Sequence, residues 1–404
     1  MSQTENGKVL TFETLQNAVT GTAAALRCRT VLQPAGGEGD KVFPPTYAGA
    51  VYAVEKRRVP GREEPVTCVL LDSVQSQANR MEEALQLAFD QGRITLPIIA
   101  VEFPRDGLLD DIGTITSLQA PHRVADAILR DSELDGVPFR QTAIGKKIDI
   151  AGLQNATPLF DVCPTALVFG LWDSTGPKGG LGAKFARAVV SEIIGYGAEL
   201  GVKTSSRIDP LQIRAAVKVL KDKSGYRIAD DKAKGAVSPS EVNHGNIPPD
   251  ISAQGGVTIQ RAEQTTVLSM PALRRLRFPI DGKTCDPAVD DAARTVLAAL
   301  ALCGAVFAAE RGLDLRSRCL LWPTETLRWE ILDKLGSTPE EVSIDADTAL
   351  AVFNEAVVQA KTKGLPWREK PLLLKPSAKL VTLVRRSQEL AVTEGGPADG
   401  KEAK

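Results

Sequence analysis

The chain has 404 residues, 43% hydrophobic and 25% charged, which is the make-up of an ordinary globular protein with ample material for a core. Its 49 basic and 50 acidic residues leave a net charge of −1, which excludes a uniformly basic nucleic-acid binder and shifts attention to how charge is distributed. No run of about 18 apolar residues is present, so no membrane-crossing helix is expected; residues 1–8 lack the pattern of a secretory signal, and a cytoplasmic location is expected.

Residues 24–31 predict a strand with Leu26, Cys28 and Thr30 on one face and Arg27 and Arg29 on the other. A Gly/Pro-rich loop follows at 34–45, then strands over 47–56 and 66–71, with Pro60-Gly61 as a turn between them. A helix is expected to start at Asp72 or Ser73, with Gln75 placed to close a capping box on Asp72. Val74, Ala78, Met81, Leu85 and Ala88 form its apolar stripe, and Gln75, Gln77, Asn79 and Arg80 fall off that stripe. Amides, hydroxyls and one arginine at a helix start suit a phosphate backbone or a neighbouring chain; a solvated polar face is the bland alternative.

Further on, 122–129 reads as a helix, 165–172 as a buried strand, and 183–194 as a helix with Phe185, Val189 and Ile193 inward and Lys184, Arg187 and Ser191 outward. Periodicity weakens over 207–264, which reads as a protruding insertion; 257–259 and 265–268 are candidates for the two sides of a hairpin or a strand pair. A long buried helix over 287–311 follows, then helices near 326–335 and 345–363. The segment 391–404 reads as a disordered tail. Irregular interleaving of strands and helices makes the fold class α+β, with 9–390 as a single domain.

Chemistry-bearing motifs are sparse. Six scattered cysteines (Cys28, Cys68, Cys163, Cys285, Cys303, Cys319) form no CxxC pair, and His122 and His244 are the only histidines, so no metal site and no cofactor are expected. The loop from Gly176 through Lys178 to Lys184 looks phosphate-binding, but it lacks the GK[ST] of a P-loop and the spacing of a dinucleotide fingerprint. What remains there is a generic anion contact or a structural turn. Thr204-Ser205-Ser206-Arg207 adds hydroxyls beside a cation, and Asn243-His244 sits in the insertion, where a base or phosphate contact competes with a structural role.

Acidic residues outnumber basic ones from Glu82 to Asp149, and the balance reverses from Lys184 to Lys234, with a second basic group at Arg274, Arg275 and Arg277. Two such faces suit a protein that holds a polyanion and stacks on copies of itself; ordinary solvated faces would read the same way. Three of the four tryptophans adjoin apolar or proline residues suited to a core, so no aromatic stacking platform is expected.

Longer strings carry more. Lys41-Val42-Phe43-Pro44-Pro45-Thr46-Tyr47-Ala48-Gly49, Leu70-Leu71-Asp72-Ser73-Val74-Gln75-Ser76-Gln77-Ala78-Asn79-Arg80, and Ala120-Pro121-His122-Arg123 are followed by the run from Phe169-Gly170-Leu171-Trp172 to Lys184-Phe185, and by the run from Gly201 to Pro210. In this order, over about residues 26–323, they resemble the backbone RAMP subunit (GSU type, seventh Cas family) of type I-G, formerly I-U, CRISPR Cascade complexes. The resemblance implies a modified RRM-like (ferredoxin-like) palm, with 207–264 as its thumb-like insertion. It also implies an antiviral role in which copies line the spacer of the guide RNA and order it for pairing with target DNA. The implied partners are the guide RNA (crRNA), further copies in a helical filament, a large subunit, a fused guide-processing subunit and target DNA. RNA contacts are expected from Ser73, Gln75, Ser76, Gln77, Asn79, Arg80, Lys178, Lys184, Arg187, Ser205, Ser206, Arg207, Asn243 and His244, and no catalytic residue. The rival expectation is a RAMP-type RNA endonuclease acting on target or guide RNA, with Asp40, Asp72 or Asp173 as its carboxylate.

Overall fold

A computed structural model describes residues 8–394 apart from 177–178, 180–181, 203–204, 223–224, 231–232 and 251–253. Its centre is built by alternation. In Ala25–Pro34, Leu26, Cys28, Thr30 and Leu32 are buried, while Arg27 and Arg29 turn to the other face, as expected. Arg261–Ser269 repeats the pattern and pairs antiparallel with Ala25–Pro34 on one side and Val189–Tyr196 on the other.

The main path across this sheet is Lys8–Val9, Glu340–Ser343, Trp329–Leu332, Ala25–Pro34, Arg261–Ser269, Val189–Tyr196, Val66–Asp72, Val54–Arg57. Helices Val74–Asp90 and Pro287–Glu310 pack together against its buried side. Gly304 permits their close approach, because a Cβ there would stand 3.3 Å from Met81 Cβ and from Phe169 Cζ. A second sheet runs Val137–Pro138, Ser132–Leu134, Leu372–Pro376, Ile99–Glu102, Thr114–Thr116, and so joins the C-terminal part to the middle of the chain. The architecture is mixed α+β, and one apolar cluster draws on residues from Leu10 to Leu374.

The helices expected after the insertion form as Pro287–Glu310 and Ala346–Thr362, capped by Asp286 and Asp345. Pro287–Glu310 is apolar and long enough to cross a bilayer, but most of its apolar window is buried inside the protein. Five cysteines are buried as expected, and Cys285 is exposed.

Other segments differ from expectation. Residues 165–172 form a short helix, Thr165–Phe169, and turn at Gly170 (φ +89°) into the strand Leu171–Trp172. An apolar run buried on every side has no period to distinguish the two forms. Residues 183–194, expected as a helix, divide into strands Lys184–Phe185 and Val189–Tyr196. Their apolar spacing of four also fits an alternation, and β-branched side chains with a strand on each side decide the outcome.

Residues 326–335 hold the strand Trp329–Leu332 instead of a helix. Residues 122–129 break at Asp126, which ends the turn Arg123–Ala125 and caps the helix Ala127–Arg130. Residues 47–56 form three short strands rather than one. The expected disordered tail begins inside the helix Ala378–Glu394, so 391–394 are helical; 395–404 lie outside the described residues.

The insertion is also re-bounded. The chain leaves the sheet after Tyr196 and rejoins it at Arg261, so the excursion spans 197–260 rather than 207–264. Within it Glu199–Val202 pairs with Gln254–Thr258, Ser205–Arg207 with Ile247–Asp250, and Lys218–Asp222 with Gly225–Ala229. The two segments expected to pair with each other instead belong to separate ladders: 257–258 to the first of these, and 265–268 to the central sheet.

Candidate functional site

Ser73 caps the Val74–Asp90 helix, its Oγ accepting the Ser76 N–H at 3.2 Å. Asp72, the alternative cap, points inward and is fully buried. Its Oδ2 accepts from Gln77 Nε2 at 2.6 Å and Arg80 Nε at 2.9 Å, and its Oδ1 accepts from an Arg316 NH2 group at 3.3 Å. Arg80 donates further to the backbone oxygens of Asp314 (3.3 Å) and Leu315 (2.6 Å). Gln77 Oε1 accepts from Ser191 Oγ at 3.0 Å and from Gln264 Nε2 at 2.8 Å, and Ser191 shares a bond with Thr266.

Gln77 and Arg80, expected to face outward, thus form one polar network with Asp72 beneath the helix. The reason is local. The sheet offers polar Ser191, Gln264 and Thr266 under this helix, and only hydrogen-bonding side chains can satisfy them there. Gln75 and Asn79 are exposed, and Ser73 and Ser76 half-buried, at the start of the same helix. A cleft of about 190 Å³ opens over the network between Arg80, Glu83, Arg311 and Asp314.

One turn further along the helix, Arg123 holds buried Glu82 with two bonds of 2.6 Å and donates to Gly170 O at 2.9 Å. Burial pushes the Glu82 carboxyl up to about 7, against the pull of Arg123 and Arg187. This explains the 120–123 string: Arg123 ties the helix to the Gly170 turn. Beyond that turn Trp172 pairs across a two-strand ladder with Lys184, whose ammonium lies 5.4 Å from the indole centroid. Leu171 and Phe185 are buried at the base of the ladder, and buried Asp173 is gripped by Arg140. Lys184 and Arg187 are exposed. Lys178 lies outside the described residues.

On the excursion, Ser206 and Asn243 are exposed and Arg207 and His244 half-buried; Ser205 lies in the same strand as Ser206 and Arg207. Asn243 takes the left-handed conformation (φ +61°), and His244 packs edge-on to Tyr226, with ring centroids 5.5 Å apart. Asp209, absent from the expected set, orders this region by accepting the N–H groups of Gly245, Leu211 and Ile213. Exposed Arg214, Lys221, Arg227 and Lys234 share the excursion's surface with exposed Glu199, Asp222, Asp230 and Glu241, and Lys221 pairs with Glu241. The second basic group does not add to that surface. Arg274 binds the carbonyl oxygens of Ala18 and Val19, Arg277 binds Asp290, and Arg275 alone is exposed.

Sheet register sorts these groups. Ile193 lies opposite Asp72 and Tyr196 opposite Cys68. The helix start and Arg187 therefore share one end of the sheet, and the excursion leaves from the other. No described cavity joins Arg80, Lys184 and Arg207. The expected residues thus form two groups, one at each end of the sheet. Two of the tryptophans are exposed, Trp172 and Trp322, where three were expected in the core. The clue available for Trp172 was its place beside Asp173, at the edge of a glycine-rich loop.

Residues 26–200 match the family described as CRISPR-associated protein GSU0053. Over that span the chain is similar to this family. The matched part of the chain contains the capped helix, the Arg123–Glu82 pair, the Trp172–Lys184 ladder and the strand Val189–Tyr196, and it ends as the excursion begins. No curated protein matches the chain.

Proposed function

We propose that this protein is a GSU0053-type backbone subunit of a type I-G CRISPR effector complex in the cytoplasm, binding guide RNA and having no catalytic role. Copies assemble along the spacer and hold the sugar–phosphate chain, leaving base edges free to pair with target DNA. Sequence reading is then delegated to the RNA. The large subunit and the fused guide-processing subunit complete the assembly. In this reading the central sheet with its two helices is a modified RRM-like palm, and 197–260 is the thumb.

The observation that carries the proposal is the excursion itself: a three-ladder projection, bearing exposed Arg214, Arg227 and Lys234, set between two adjacent antiparallel strands of the central sheet. Ser73, Gln75, Ser76 and Asn79, together with Lys184 and Arg187, contact RNA at one end of the palm; Ser206, Arg207, Asn243 and His244 contact it from the thumb. Gln77 and Arg80 act from beneath, holding the helix start through Asp72. Near-neutral net charge suits copies whose acidic and basic faces meet. The endonuclease alternative draws little support. Asp72 and Asp173 are buried against arginines, and of the three aspartates weighed only Asp40 is exposed.

Co-expression with a CRISPR array, followed by purification and electron microscopy, tests the proposal. A regular stack of copies around protected RNA is expected. RNA-free monomers in the presence of the array would overturn it.

A further inference from the structure

The Trp172–Lys184 ladder has features that a core or a plain solvated edge does not need. Trp172 is 59% exposed, although Leu171 beside it is buried. Its cross-strand neighbour is a lysine whose ammonium sits over the ring. The ladder is tied down at both of its neighbours in the chain. Arg123 holds Gly170 O at its root, and Asp173 just beyond Trp172 is buried and held by Arg140. Gly182 is packed tightly on Asp173, since a Cβ there would stand 1.9 Å from the Asp173 carbonyl oxygen. A large aromatic surface is thus held in solvent on an anchored turn, with a cation on it and Arg187 beside Gly170 at its root.

We infer that Trp172 is a stacking platform for one nucleobase of a single-stranded RNA, with Lys184 and Arg187 holding the flanking phosphates. A flat π surface accepts any base, and a neighbouring ammonium supplies the charge that the attached phosphate requires. The anchored turn keeps the ordering cost of the contact low. This rests on the RNA-binding reading and adds to it one base per copy that is gripped by its face instead of being left wholly free.

The test measures binding of a fluorescein-labelled single-stranded oligoadenylate, and of an abasic RNA of the same length, to wild type, Trp172→Phe and Trp172→Ala. The Ala variant should bind oligoadenylate roughly 5- to 100-fold more weakly and the Phe variant only slightly more weakly. Binding of the abasic RNA should be nearly equal in all three. Equal oligoadenylate binding by wild type and the Ala variant overturns this inference while leaving the RNA reading in place. An equal loss on abasic RNA overturns it too, because the residue would then act through folding or through copy-to-copy contact. No binding of either RNA by wild type overturns the RNA reading and this inference with it.

Discussion

Replacing Arg123 by Ala should destabilise the protein at about pH 8, where Glu82 is ionised, by about 3–5 kcal/mol, the cost of leaving one partner of a buried ion pair alone. Both side chains are almost wholly buried, at 8% and 3% exposure, so little solvent is available to Glu82 once its partner is gone. The change also releases Gly170 O, and with it the turn that roots the Trp172 strand. Urea denaturation checks this, and an unshifted midpoint would mean that the pair carries no stability.

The same pair sets a pH dependence. Folding raises the Glu82 carboxyl from its ordinary 4.5 to about 7. Between those values the folded protein keeps a proton that the unfolded chain has released, so this group's contribution to stability falls as pH rises across the window. Urea midpoints measured at about pH 5 and about pH 8 should show a larger fall for wild type than for Glu82→Gln, in which the titrating group is absent.

The second large effect is expected at Asp72. Asp72→Ala strips Arg80 and Arg316 of their shared carboxylate and leaves Gln77 Nε2 without its acceptor. Each arginine keeps about a quarter of its side chain exposed, so the loss should lie near the lower end for a broken buried pair, about 3 kcal/mol. Asp72→Asn, which keeps an acceptor oxygen and loses the charge, should fall between the Ala variant and wild type. The urea midpoints of the three proteins give the order directly. Equal midpoints for the Ala variant and wild type would remove Asp72 from the list of folding determinants.

How much of this was legible depended on periodicity. The strand Ala25–Pro34 and the helix Val74–Asp90 each have one clear period and a polar opposite face, and both were readable. Residues 165–172 and 183–194 have apolar positions that satisfy two periods at once, and only their neighbours in the fold choose between them. The helix start reads as polar, and Gln75 and Asn79 are exposed accordingly, but Gln77 turns inward and Arg80 reaches beneath the helix to Asp72. An amide is silent about direction, and nothing near Gln77 in sequence announces Ser191 or Gln264 lying beneath it. Burial of Asp72 was hidden for the same reason, since Arg316, one of its partners, lies far along the chain. The insertion was visible through its loose pattern. Its edges were not, because Arg261–Ser269 is largely polar in sequence and even its inward positions include Gln264 and Thr266.

The central claim is that cations at both ends of the palm hold one ribose–phosphate strand, and the salt dependence of RNA binding tests it most directly. For wild type, log affinity for a single-stranded RNA should fall linearly with log salt, by about 0.7 per phosphate neutralised. The combined variant Lys184→Ala, Arg187→Ala, Arg207→Ala should bind more weakly with a visibly shallower slope. A slope identical to wild type, or wild-type binding indifferent to salt, would contradict the claim.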